Sequence, residues 1–97
     1  MFAIVTSKPG QFRTELADTM REVERYDYVF CGRTRASFVI AELAGDGKVR
    51  IVEESGSAAV NFVPAKLLPR FDRIESARAE LEQLVRFGNL DAQLVKR

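Results

Sequence analysis

Tyr26–Glu54 reads YDYVFCGRTRASFVIAELAGDGKVRIVEE. Three segments rich in β-branched and aromatic residues, Tyr26–Cys31, Ala36–Leu43 and Lys48–Glu54, are separated by two glycine-bearing breaks, the pattern of an antiparallel meander. Gly32-Arg33-Thr34-Arg35 has the composition of a four-residue hairpin loop. Asp46-Gly47 is a strong hairpin signal, because glycine reaches positive φ without steric cost. Strict alternation puts Tyr28, Phe30, Ala36, Phe38 and Ile40 on one face, and Val29, Cys31, Val39, Ala41 and Leu43 on the other. Both faces are largely apolar, so this sheet must be covered on both sides or closed on itself.

C-terminal to this stretch, Ser55-Gly56-Ser57 reads as a linker and Ala58–Val63 as a fourth strand that Pro64 ends or confines to an edge. Ala65–Phe71 has no regular period, and Pro69 forbids a continuous helix through it. Asp72–Arg86 reads as a helix. Ile74, Ala77, Leu81, Leu84 and Val85 form one apolar stripe, Asp72 and Glu75 have the capping-box spacing, Glu82 and Arg86 are an i,i+4 pair, and Gly88 follows as the C′ residue. Asn89–Arg97 alternates Leu90, Ala92 and Leu94 with polar residues, as an edge strand or a tail used in association.

On the N-terminal side, Met1–Thr6 is apolar on both faces and reads as a buried strand, broken by Ser7-Lys8-Pro9-Gly10. Phe12, Leu16, Met20 and Val23, spaced four, four and three, predict an amphipathic helix over Gln11–Arg25, with two short strands around Leu16–Met20 as the alternative. The expected fold is therefore α+β, one domain spanning the 97 residues. Its core is a mainly antiparallel sheet of four to six strands, packed by the C-terminal-half helix and, if the Gln11–Arg25 period is helical, by a second.

Composition removes several functions. The chain has no histidine and one cysteine, Cys31. Histidine-based nucleophilic sites, His-ligated metals, thiolate or iron–sulfur clusters and internal disulfides cannot be built within it, and no cofactor or metal is expected. Fifteen basic against 14 acidic residues, net +1, lack the basic excess of a nucleic-acid binder. No apolar run approaches the ~20 residues that span a bilayer, and Met1–Val5 is too short for a signal sequence, so no membrane partner and a reducing cytoplasm are expected.

The best ligand-site candidate is basic. Arg33 and Arg35 project from a hairpin tip, with Lys48 and Arg50 on the following strand and Tyr26 and Tyr28 nearby, a surface suited to a phosphate, a carboxylate or RNA. The plainer reading is that strand ends are charged to prevent edge pairing. Ser7, Lys8 and Gly10 outline an anion-binding turn but lack the rest of a phosphate loop. Cys31 beside two arginines could be an activated thiol, but without a histidine base it reads better as a small buried hydrophobe. Glu42, Glu53 and Glu54 read as solvated turn residues. Phe62, Leu67, Leu68 and Phe71 surround two prolines and are candidates for an exposed apolar interface. These features lead to the expectation of a non-catalytic protein-interaction module, as an accessory subunit of a larger assembly or a homo-oligomer. The rival is a small-ligand, anion or RNA-binding module built on Arg33 and Arg35.

Overall fold

Ala3, Ile4 and Val5 offer no polar face, and such a strand is stable only where both of its sides are covered. In the computed structural model, which describes residues 1–57, 59–86 and 92–97, they lie in β1 (Phe2–Ser7). β1 pairs along its length with β4 (Arg33–Leu43) and over two residues with β7 (Arg70–Phe71). Beyond β4 come β3 (Met20–Phe30) and the edge strand β8 (Ala92–Lys96), completing a five-stranded antiparallel sheet of order β7-β1-β4-β3-β8. A second, three-stranded sheet has the order β2-β5-β6, from β2 (Phe12–Glu15), β5 (Lys48–Glu53) and β6 (Val60–Pro64). α1 (Ile74–Arg86) follows β7.

The α+β class and the antiparallel pairing match the sequence, but the count does not. Among the described residues, eight strands in two sheets replace four to six in one, and there is one α-helix, not two. Gln11–Arg25 forms β2, a turn and the start of β3. The helical spacing arose from unrelated burial events. Phe12 is half-buried in β2, Leu16 packs from the turn, Met20 is buried at the start of β3, and Val23 is an exposed bulge residue. That bulge, between Glu22 and Glu24, changes which face β3 presents. Before it Met20 points between the two sheets, and after it Glu24, Tyr26 and Tyr28 share the face of Ile40, Phe38 and Ala36.

The meander also breaks after β4. Asp46-Gly47 does not join paired strands, because β4 pairs with β1 and β3 while β5 pairs with β2 and β6. β1, apolar from Phe2 to Val5, takes the place beside β4 that the half-polar β5 was expected to fill. The crossover is fixed by Ala44 N–H donating to Thr19 O at 2.8 Å and Ala65 N–H donating to Gly47 O at 2.8 Å. Gly47 is required sterically, since a Cβ there would stand 2.4 Å from Thr19 Oγ1.

Both faces of the central sheet are covered by this chain. On one, the three-stranded sheet buries Ala3, Val5, Met20, Val39, Ala41 and Val49. On the other, α1 lays Ala77 and Leu81 on Ile4 and Ile40. The first helical bond runs from Ala77 N–H to Arg73 O, so Arg73 caps α1 and the Asp72–Glu75 box is one residue out of register. Leu84, expected in the buried stripe, is 47% exposed. Ala58, the side chain of Arg86 in the expected Glu82–Arg86 pair, Gly88 and Leu90 lie outside the described residues.

Candidate functional site

The hairpin between β3 and β4 is tighter than its sequence suggests. Cys31 (φ 52°) and Gly32 (φ 75°) both lie in the left-handed region, and Phe30 stands opposite Arg33, so the connection is a two-residue turn of the type I′ kind. Arg33 and Arg35 are therefore strand residues, and Cys31 is exposed at the tip, not buried. Arg35 sits at a second irregularity, where the register shifts between Tyr28 and Val29.

The four expected cations do not converge. Lys48 and Arg50 lie in the other sheet, reached only after the full length of β4, and Arg50 pairs with Glu15 at 3.4 Å. Lys48 lines a separate depression with Asp46, Gly47, Pro64 and Lys66. The structure instead brings Arg35 to Lys8, because β1 and β4 run antiparallel with Ser7 opposite Ser37. Together with Thr6, Gln11, Tyr28 and Phe38 they line a depression of about 450 Å³. Tyr28 and Phe38, both lining it, meet edge to face with ring centroids 6.4 Å apart. The signals for this grouping were present, in Lys8 of the broken strand and in Arg35 and Tyr28 of the meander, but joining them requires the β1–β4 pairing.

The apolar interface candidates divide. Leu68 packs on the cluster between the sheets and Phe71 on the helix-side cluster. Phe62 is 62% and Leu67 69% exposed. Phe62 lies on β6, an edge strand, opposite Arg50 on β5.

The carboxylates named from sequence are dispersed. Glu42 pairs with Arg21 at 2.6 Å, Glu54 with Arg13 at 3.7 Å, and Glu53 accepts from Ser57 Oγ. A different one is buried. The Glu24 side chain, 7% exposed, accepts from Arg78 Nε at 3.0 and 3.1 Å, from Arg78 Nη2, and from Tyr26 Oη at 2.5 Å, with Lys96 Nζ at 3.9 Å. The Arg78 hydrogen bonds outweigh burial, and with the Tyr26 bond they hold the Glu24 carboxyl at about 2. Burial, followed by the bond to Glu24, raises the Tyr26 phenol. This network ties α1 to β3. The sequence does carry a signal for it: Glu24 is in phase with Tyr26 and Tyr28, which places an acidic residue on an apolar face.

No helix among the described residues is long and apolar enough to cross a membrane. Compared with protein-family models, curated proteins and solved structures, the chain has no significant match.

Proposed function

We propose that the protein is a non-catalytic interaction module that associates through β6, with a second copy of itself as the occupant of that edge. The observation that carries this reading is the contrast among the molecule's sheet edges. β7 is two residues long. β8 ends at Lys96, and the following Arg97 is held by Asp27 at 2.7 Å. β2 carries Arg13 and Glu15, and Thr14 bonds back to β1 through Ser7 Oγ and Thr6 O. Short strands, charges and side-chain locks are the usual ways of preventing edge pairing. β6, Val60-Asn61-Phe62-Val63-Pro64, carries no charge and no side-chain lock, has its one edge-blunting residue at the terminal Pro64, and exposes both Val60 and Phe62.

The hydrogen-bonding phase of β6 supports the same reading. Glu53 N–H donates to Ala59 O and Ala65 N–H to Gly47 O, so the odd-numbered residues face β5. The amides and carbonyls of Val60 and Phe62 therefore point outward. Pro64, which has no N–H to leave unpaired, sits where an edge strand tolerates it. Two copies related by a two-fold axis can pair β6 antiparallel with Phe62 opposite Phe62. Each Phe62 N–H then meets the other copy's Phe62 carbonyl, each Val60 N–H meets a Pro64 carbonyl, and the two exposed rings come together on one face.

Light scattering after gel filtration tests this reading. The protein is expected to run as a dimer in the micromolar range, and Phe62→Lys as a folded monomer. Val60→Pro removes one outward donor without touching the β5 ladder and is expected to weaken the dimer while leaving the fold intact. A monomer throughout the high micromolar range, or a dimer indifferent to both changes, would overturn the proposal.

A further inference from the structure

We infer that the depression at Lys8 and Arg35 is the head-group end of a binding trough for an amphipathic carboxylate, a ligand with one anionic end and one apolar chain. A second depression, of about 380 Å³, runs between the outer edge of β1, the inner side of the three-stranded sheet and α1. Phe12, Ile51, Leu68, Pro69 and Leu84 are among the residues lining it. The two depressions adjoin at Thr6 and Leu84, which line both, so a mainly apolar depression lies beside a cationic one. Each half falls within the ~300–1,000 Å³ of small-molecule sites, which are mostly apolar with a few polar groups that fix orientation.

The charges define the head group. Lys8 and Arg35 are both exposed and line the same depression, and neither forms an ion pair among the described residues, a state they share with Arg33, Lys48, Lys66, Arg70 and Arg73. Arginine's fork suits bidentate capture of a carboxylate, and lysine adds a point charge. The apolar half explains Leu84, which belongs to the helix's apolar stripe by sequence yet remains 47% exposed above the trough. Glu80 lines the apolar half one helical turn before Leu84. It would repel a second anionic end, so the ligand is a monocarboxylate oriented with its chain toward Glu80. The trough lies at the β2 side of the three-stranded sheet, away from β6, and the inference is independent of the dimer.

Amide NMR titration of the full chain with octanoate tests it. Saturable shifts are expected at Thr6, Lys8, Ile51 and Leu84. Acetate and inorganic phosphate, which supply only the charge, should bind far more weakly. Octanol, which supplies only the chain, and octanedioate, which adds a second charge, should do the same. Arg35→Ala and Lys8→Ala, both at exposed positions, should each weaken octanoate about tenfold, the loss of one charge-assisted hydrogen bond. The inference fails if octanoate produces no saturable shift, if any control binds as well as octanoate, if the shifts map elsewhere, or if neither variant changes the affinity.

Discussion

The two faces of the central sheet are covered in different ways. Between the sheets the buried cluster is entirely apolar: Ala3, Val5, Met20, Val39, Ala41 and Val49. Under the helix, Ala77 and Leu81 are the fully buried residues of α1 among those described, and the remaining attachment includes the Glu24–Arg78–Tyr26 network. The sheet-on-sheet face depends on apolar burial, which no protonation alters. The helix face depends partly on a desolvated carboxylate, which is stable there only while ionised and hydrogen-bonded. One sheet therefore has a pH-indifferent side and an acid-sensitive side.

Truncating the largest buried side chain of each cover probes this asymmetry most strongly. Leu81→Ala empties the main helix anchor and is expected to cost about 3 kcal/mol, within the usual range for a buried leucine. Val49→Ala removes fewer buried groups between the sheets and is expected to cost about 2 kcal/mol. In a domain of this size each kcal/mol lowers the thermal midpoint by roughly 4–8 °C. Hydrogen exchange should separate the two variants further. Leu81→Ala should expose the α1 amides ahead of the sheet, while Val49→Ala should speed exchange throughout. If both variants open the chain uniformly, the two covers are not separable units.

Acid comes next in size. Glu24 is held at about 2, below its ordinary value of 4.5. A depressed carboxyl contributes stability that is fully present above its unfolded value and is lost as pH falls through the folded one. The contribution of Glu24 should therefore be intact at neutral pH, decline below about 4.5 and be gone below about 2. In Arg78→Met the largest stabilising cause is removed and burial acts on the carboxyl with the Tyr26 bond and the Lys96 charge left to oppose it. The acid limb of a midpoint-against-pH curve should then move toward neutrality. An unshifted limb would assign acid sensitivity to other groups.

These two faces also show what the sequence could reveal. The apolar character of both sides of Phe38–Ala41 was readable directly, as were the need for two covers and the Ile74–Leu81 stripe. The identity of the second cover was not. Phe12, Leu16, Met20 and Val23 mimic a helical repeat because a turn and a bulge at Val23 interrupt two strands, and local spacing cannot distinguish that from one helix. Asp46-Gly47 has hairpin chemistry, but the competition of β1, apolar from Phe2 to Val5, for the edge of β4 decides the pairing, a contest between segments some 40 residues apart in sequence. The candidate sites failed in the same way. Arg35 and Lys8, or Glu24 and Arg78, meet only through long-range pairing, whereas Phe62 was already conspicuous as an aromatic residue close to Pro64.

The smallest effect concerns the crossover that delivers the chain from one sheet to the other. Gly47 packs against the turn preceding β3, where a Cβ would fall 2.4 Å from Thr19 Oγ1 and 3.1 Å from the Ala17 Cβ. Thr19 is β-branched, so its hydroxyl cannot swing away freely, and that hydroxyl is buried without a hydrogen-bond partner among the described residues. Gly47→Ala should therefore cost about 1–2 kcal/mol through overpacking. Thr19→Ala should be close to neutral, because it removes an unsatisfied buried hydroxyl while opening a small space. The double variant should recover most of the loss, since the added methyl occupies the space the hydroxyl vacates. Chemical denaturation of the four proteins gives the coupling between the two positions directly. Additive costs would mean that a methyl at position 47 is opposed by the Ala17 Cβ and the surrounding chain rather than by the Thr19 hydroxyl, since Gly47 is not in the left-handed region.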